Sequence, residues 1–504
     1  MLYENVLLKT FNQKYSELLI RQENLRKEIA TMIYAFYTNN KPLINYYLKK
    51  YMLDSGVHDL QVWDAKIGRH KTIPDESNPV GMFTEKTVNI MPKIHIDLVG
   101  KVLDLCCSIY NAGADRYLLD ENSDINEDLT EKLMDLYESM DFQKKIIDIY
   151  KQGYLFNTVL VQPVWRNDKV ELDIITPNFC SVESYDNDNS RAKAVMISKS
   201  VGDDDKIVYW SDTEHYYVDE NGNKEAVTDG EESNGMINPY GKLQFAVLRF
   251  NESSDFWGEP QQDLIENNIW YDVREMNSYF IEMFQGLGVG LGVNLSKNGT
   301  ISLSPNTMIL VDNVRAEDQT PSINFSSTGA PLSEIRSNLE YFYKLIGNSK
   351  GLSSQSMSNE VTDQSGVAKA YDSAEMQIKK DSHKIIMKAF ETDLYEKIAM
   401  VYNYHVKETF TDKVSFKIDI VEDEPQINVS EEISIAEFKL NSNMVSILDL
   451  MIKDNPDLTT EEAILRLQEN KKINEKYLLT VKTDNGKAED KDGSGTGEDT
   501  DSGT

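Results

Sequence analysis

Residues 258–292 read GEPQQDLIENNIWYDVREMNSYFIEMFQGLGVGLG. Ile265, Ile269, Val273, Met276, Phe280 and Phe284 step by 4, 4, 3, 4 and 4, the single apolar stripe of an amphipathic helix. The pattern predicts a helix over 259–285, about 25 residues and roughly 38 Å long. Gly286, Gly288, Gly290 and Gly292 then end it and open a strand-like turn. A short strand-rich insert is expected over 287–330. A second stripe, Ile335, Leu339, Phe342 and Ile346, predicts a return helix over 332–346. A polar loop, 348–364, comes next. From Gly366 to about Glu408 neither Pro nor Gly interrupts a helical pattern. About 40 residues span roughly 60 Å as helix, far beyond the usual length, so a structural spine is expected.

Toward the N-terminus the period changes to two. Residues 156–165 and 170–175 read as paired strands joined at Arg166-Asn167-Asp168-Lys169, with Pro163 marking an edge or bulge. Further strands are expected at 192–200, 206–210 and 215–218. Turns are expected at 219–223 and at Asn238-Pro239-Tyr240-Gly241. Residues 150–250 therefore predict an antiparallel layer flanked by helices. Helices are expected over 13–53, restarting at Pro42, then from Pro92, from Asn126 and over 141–152. Loops with short strands are expected over 54–85. After the spine come a strand at 414–420 and helices over 433–470, broken near Pro456 with a second start at Asp457-Leu458-Thr459-Thr460-Glu461-Glu462. The Gly-, Ser- and Asp-rich stretch 483–504 reads as a disordered acidic tail.

The chain has 504 residues, 84 acidic against 52 basic side chains, and a net charge of −32. Such a surface repels nucleic acid at long range and lacks the basic face of an ordinary DNA-binding protein. It suits a wall past which DNA slides without sticking. Three cysteines, Cys106, Cys107 and Cys180, make no disulfide framework and point to a reducing compartment. The sequence shows no signal peptide and no run long enough to span a membrane.

Motifs for chemistry fail on context. The alternating glycines at 286–292 fit neither nucleotide-binding pattern and follow a helix instead of a strand. Gly347-Asn348-Ser349-Lys350-Gly351 matches G-x-S-x-G but also follows a helix, where a hydrolase elbow follows a strand. The acidic runs 203–205, 231–232 and 422–424 lack a calcium-loop spacing. No zinc-ligand spacing occurs, and Asn298-Gly299-Thr300 reads as a plain turn. No catalytic residue, metal or cofactor is expected.

What remains is an order of elements. Asn238-Pro239-Tyr240-Gly241-Lys242-Leu243 leads into a strand, then come helix 259–285, an insert, helix 332–346 and a Ser/Asn/Gly-rich loop. Ser365-Gly366-Val367-Ala368-Lys369-Ala370 opens the long helix. This order resembles the portal (head–tail connector) proteins of long-tailed bacteriophages, over roughly 238–477 with weaker support from 153–217. Residues 1–150 carry no portal motif and take their place by position.

The resemblance implies an α+β, portal-like fold. A helical wing with a β-rich layer covers 1–255, and a two-helix stem covers 256–286 and 331–347. A small α/β clip covers 287–330, a tunnel loop 348–364, the long spine helix and strand of the wing 365–424, and a helical crown 425–482. It implies a dodecameric ring at the capsid vertex of the virion, assembled in host cytoplasm, with double-stranded DNA passing through its channel. Implied partners are the terminase large subunit, a head–tail adaptor, and the major capsid and scaffolding proteins; no membrane is implied. Lys350, Asn348, Ser349, Gln355, Asn359, Lys344 and Arg336 become DNA-contacting candidates, with Lys350 foremost. Asn294, Lys297, Asn313 and Arg315 become partner-binding candidates in the clip. Between Asp255 and Lys350 stand 12 acidic and 6 basic residues. That net negative charge, repeated around a ring, limits friction with phosphates. Rival expectations are a virion adaptor that binds protein only, or an enzyme with an unrecognised acidic site.

Overall fold

The computed structural model describes residues 17–54, 59–64, 69–74, 88–89, 91–201, 204–219, 222–227, 235–253, 255–287, 289–293, 322–326, 331–353, 356–357, 366–406, 409–410, 414–421, 436–437, 439–442, 445–455 and 459–477. Two compact units divide the chain, Met1–Glu424 and Pro425–Thr504.

In the first unit, α1 (Glu17–Tyr37) and α2 (Lys41–Asp54) form a hairpin. Asn39, at φ +50°, makes the reversal, and Asn40 N–H donates to Ala35 O. β1 (Asp59–Asp64) and β2 (Arg69–Pro74) pair antiparallel. The helix expected from Pro92 starts later, as α3 (Leu98–Cys106). The delay has a tertiary cause. Asn268 Oδ1 accepts from Leu98 N–H and Val99 N–H, and Asp272 Oδ1 accepts from Ile96 N–H. Acceptors from a distant helix thus take donors that an earlier helical turn would have used.

β3 (Ala114–Leu119) precedes α4 (Glu127–Ser139), whose N-cap Asn126 accepts from Leu129 N–H. α5 (Phe142–Phe156) outruns its expected end at 152 and takes the first residue of the expected strand. The chain turns at Asn157, φ +63°, where an asparagine corner replaces the glycine that a sequence reading looks for. β4 (Thr158–Arg166) and β5 (Lys169–Ile175) then form the expected hairpin, with Asn167 and Asp168 both at positive φ as a type I′ turn requires.

Five strands follow as a meander: β6 (Cys180–Tyr185), β7 (Asp188–Val201), β8 (Asp204–Ser211), β9 (His215–Val218) and β10 (Lys224–Ala226). Each pairs antiparallel with its sequence neighbour. β11 (Ala246–Arg249) returns to β4, giving a second sheet of order β11-β4-β5. Pro163 therefore sits on a central strand. It is tolerated because β11 covers only Thr158–Val161, so β4 has one neighbour at the proline.

α6 (Gln262–Leu287), β12 (Val289–Val293), β13 (Ser322–Ser326), α7 (Leu332–Ser349) and α8 (Gly366–Val406) come next. α8 has 41 residues. β14 (Ser415–Ile420) pairs antiparallel with β3. The main core joins Phe36 of α1, Val99 of α3, Tyr150 of α5, Ile269 of α6 and Leu394 of α8, with a smaller cluster around Trp210 and Phe245 between the sheets.

In the second unit, α9 (Ile447–Asp454) opens with a capping box of Ser446 and Asp449. α10 (Thr460–Tyr477) opens with reciprocal bonds between Thr459 and Glu462, where a second helix start was expected. Ala463 is buried there. The expected tail 483–504 lies outside the described residues.

Candidate functional site

α6 and α7 lie antiparallel, as their contacts show when taken in order. Asp263 meets Lys350, Tyr271 meets Tyr343 at 5.8 Å between rings, Arg274 stands 4.3 Å over the Phe342 ring, and Glu282 meets Arg336. The strands continue the hairpin, pairing Val289 with Ser326 through Val293 with Ser322. Ile265, Ile269, Val273 and Met276 of the expected stripe are buried, as are Leu339 and Ile346 opposite. Both stripes are buried in the main core, and the α6 residues that meet α7, Tyr271, Arg274 and Glu282, lie on another face of α6 from Ile269 and Val273.

Both cations of α7 are paired with carboxylates. Arg336 Nη2 lies 2.8 Å from Glu282 Oε1 and Lys344 Nζ 2.6 Å from Glu340 Oε1. Lys350 is 8% exposed. Its Nζ donates to Asp263 Oδ2 at 2.5 Å and to Gln261 Oε1 at 2.7 Å. Lys350, the foremost DNA-contacting candidate of the sequence analysis, bridges the end of α7 and the start of α6 in this structure. Asn348 and Ser349 are exposed. Ser349 Oγ donates to Ile346 O at 2.7 Å, so the serine of the G-x-S-x-G match closes the helix end. Gln355 and Asn359, and the clip candidates Asn294, Lys297, Asn313 and Arg315, lie outside the described residues.

Three polar clusters escaped the sequence reading. Asp272, fully buried on α6, accepts from Ile96 N–H and lies 2.7 Å from His95 Nδ1, and burial raises its pKa. Lys379 of α8 donates to Tyr154 Oη and to Lys350 O, while Tyr150 Oη lies 2.7 Å from His383 Nδ1. Burial, reinforced by the Lys379 ammonium, pushes His383 down to about 4. Arg116 and Tyr110 both bond Glu391 of α8. The bonded partners in these clusters are separated by 29 to 281 positions, so spacing carries no sign of them. The three cysteines are buried, and burial pushes the Cys180 thiol up to about 12.

A groove of about 680 Å³ lies between α6, α7 and residues 94–96, lined by Glu275, Glu282 and Glu340 together with Arg336 and Lys344. Both charge signs line it, so it is not an anion cradle. Among the described residues no group of three His, Cys, Asp or Glu is placed to hold a metal ion. No described helix is long and apolar enough to cross a membrane.

No protein-family model matches the chain, and no curated protein does. Two solved structures show a remote likeness. One is the virion of a native gene transfer agent particle, at 9% identity and a TM-score of 0.38, covering 69% of this chain and 87% of that one. The other is the neck of an empty gene transfer agent particle, at 10% identity and 0.39, covering 70% and 88%. At these TM-scores the likeness carries no argument for fold or function.

Proposed function

We propose that this chain is the subunit of a phage portal. It forms a dodecameric ring at the capsid vertex of the virion, through which double-stranded DNA is packaged and ejected. The terminase large subunit docks on it first and a head–tail adaptor later, among major capsid and scaffolding proteins. The observation that carries the reading is the succession of an antiparallel helix pair, a β-hairpin beyond it, and a 41-residue helix, in the order α6-β12-β13-α7-α8. The role needs a conduit, not catalysis.

The charge balance supports the same role. Duplex DNA carries a phosphate charge every ~1.7 Å, and a cation that neutralises phosphates releases counterions and binds. On α6 and α7 the cations Arg336, Lys344 and Lys350 already face carboxylates. Such a wall gains little from each phosphate and lets the duplex move. Negative-stain microscopy with light scattering tests the reading. Rings with a central hole and a mass near a dodecamer of the 57.6 kDa chain are expected. A species that stays monomeric across salt and concentration, and with scaffolding protein added, would overturn it.

A further inference from the structure

The turn after α7 is held at several independent points. Lys350 Nζ reaches across to Asp263 and Gln261 at the start of α6. Lys350 O accepts from Lys379 Nζ of α8 at 3.0 Å, and the Cys106 thiol of α3 stands 3.9 Å from the same oxygen. Lys350 N–H and Leu352 N–H both donate to Gly347 O, and Gly351, at φ +74°, closes the helix end. Met357 folds back so closely on α7 that a Cβ at Gly347 would stand 2.2 Å from its Cγ. Met357 and Leu352 are both buried.

We infer that Lys350 is a positioning residue: with Asp263, Gln261 and Lys379 it bolts the turn after α7 to the first turn of α6 and to the spine helix. Its charge serves this seat and not DNA. Side chains from three other helices thereby meet the turn after α7. The point where the chain leaves α7 moves only if α6 and α8 move with it.

The pair is asymmetric, and the asymmetry makes the inference testable. The Lys350 side chain is 8% exposed and that of Asp263 is 60% exposed. Losing the aspartate charge strands a buried ammonium, whereas losing the lysine leaves a carboxylate that water still solvates. Methionine also keeps most of the lysine stem and its apolar packing.

Hydrogen exchange by mass spectrometry on the full chain, with peptides spanning 346–353, reads the seat. Asp263→Asn should speed exchange there by about tenfold or more, and Lys350→Met should speed it too but by less, because the carboxylate it leaves is solvated. Peptides from β7 and β8 should not change, which separates a loosened seat from a misfolded chain. Exchange unchanged from wild type in Lys350→Met would overturn the inference, as would no loosening by Asp263→Asn. DNA packaging gives a second readout, which rests on the portal reading. Lys350→Met particles should package less well than wild type, in step with their faster exchange, and Asp263→Asn particles worse still. Poor packaging by Lys350→Met with a normal exchange pattern would place the lysine on DNA and also overturn the inference. Failure of the wild type to form rings would sink the portal reading and leave the exchange result standing.

Discussion

Glu391 lies midway along α8 with its side chain fully buried, accepting from Arg116 Nε and from Tyr110 Oη, each at 2.6 Å. Breaking a buried pair strands the other charge, so Glu391→Gln should cost about 3 kcal/mol or more, read as a lowered urea midpoint. Replacing both partners, as Arg116→Met with Glu391→Leu, should cost clearly less than Glu391→Gln alone. A double variant that is the worse of the two would show that the pair is a net stabiliser. His383 makes a second prediction. Its folded pKa, about 4, is depressed by burial below the usual imidazole value of 6.5, so its stabilising contribution is full above pH 6.5. That contribution is lost as pH falls toward 4, because the unfolded imidazole takes a proton that the folded one refuses. Between pH 7 and pH 5 the loss should be about 2 kcal/mol. In His383→Gln the same pH step should move the urea midpoint less; an unchanged pH dependence refutes the assignment. At Gly347 a Cβ collides with Met357. Gly347→Ala should therefore destabilise by about 1–3 kcal/mol, and less when Met357→Ala has already emptied the notch. None of these positions was legible in sequence. Glu391 and Arg116 are 275 residues apart, and an acidic chain offers many carboxylates for each arginine.

Elements were far more legible than contacts, for a physical reason. The α6 and α7 stripes are local periodicities, and both are buried in the main core, at Ile265, Ile269 and Leu339. The spine helix was legible from an absence of Pro and Gly and is found at Gly366–Val406. Misreadings fall where distant groups decide. α3 starts late because Asn268 and Asp272 claim its first donors, and β3 went unseen because its partner β14 lies some 300 residues away. Asn157 turns the chain without the glycine that would have announced it. The buried stripe of α6 should carry stability and the surface ion pairs of the helix pair should not. Ile269→Ala, at a fully buried site, should cost about 2–5 kcal/mol. Arg336→Ala, which breaks a bridge whose arginine side chain is 68% exposed, should cost less than about 1 kcal/mol. A large loss from Arg336→Ala would mean that the bridge is screened by something beyond the single chain.

At the scale of the whole molecule the −32 charge and the balanced helix pair make one argument. A ring of such subunits presents a field that keeps phosphates from settling, and the few cations near its wall are matched by carboxylates of the same chain. Affinity for DNA should then be low and nearly flat with salt, because the slope of log K against log salt scales as about −0.9 per phosphate neutralised. Unmasking the cations tests this directly. Glu282→Gln with Glu340→Gln removes the acidic partners of Arg336 and Lys344 and leaves both cations in place. If the α6–α7 pair forms the channel wall, each subunit then offers two uncompensated charges to the duplex. Rings of the double variant should hold linear DNA at low salt, release it steeply as salt rises, and translocate more slowly in a packaging reaction. The charge-reversed Arg336→Glu with Lys344→Glu should show neither the retention nor the salt slope. Retention that does not change on unmasking would place this face of the helix pair away from the duplex, whatever the ring's mass.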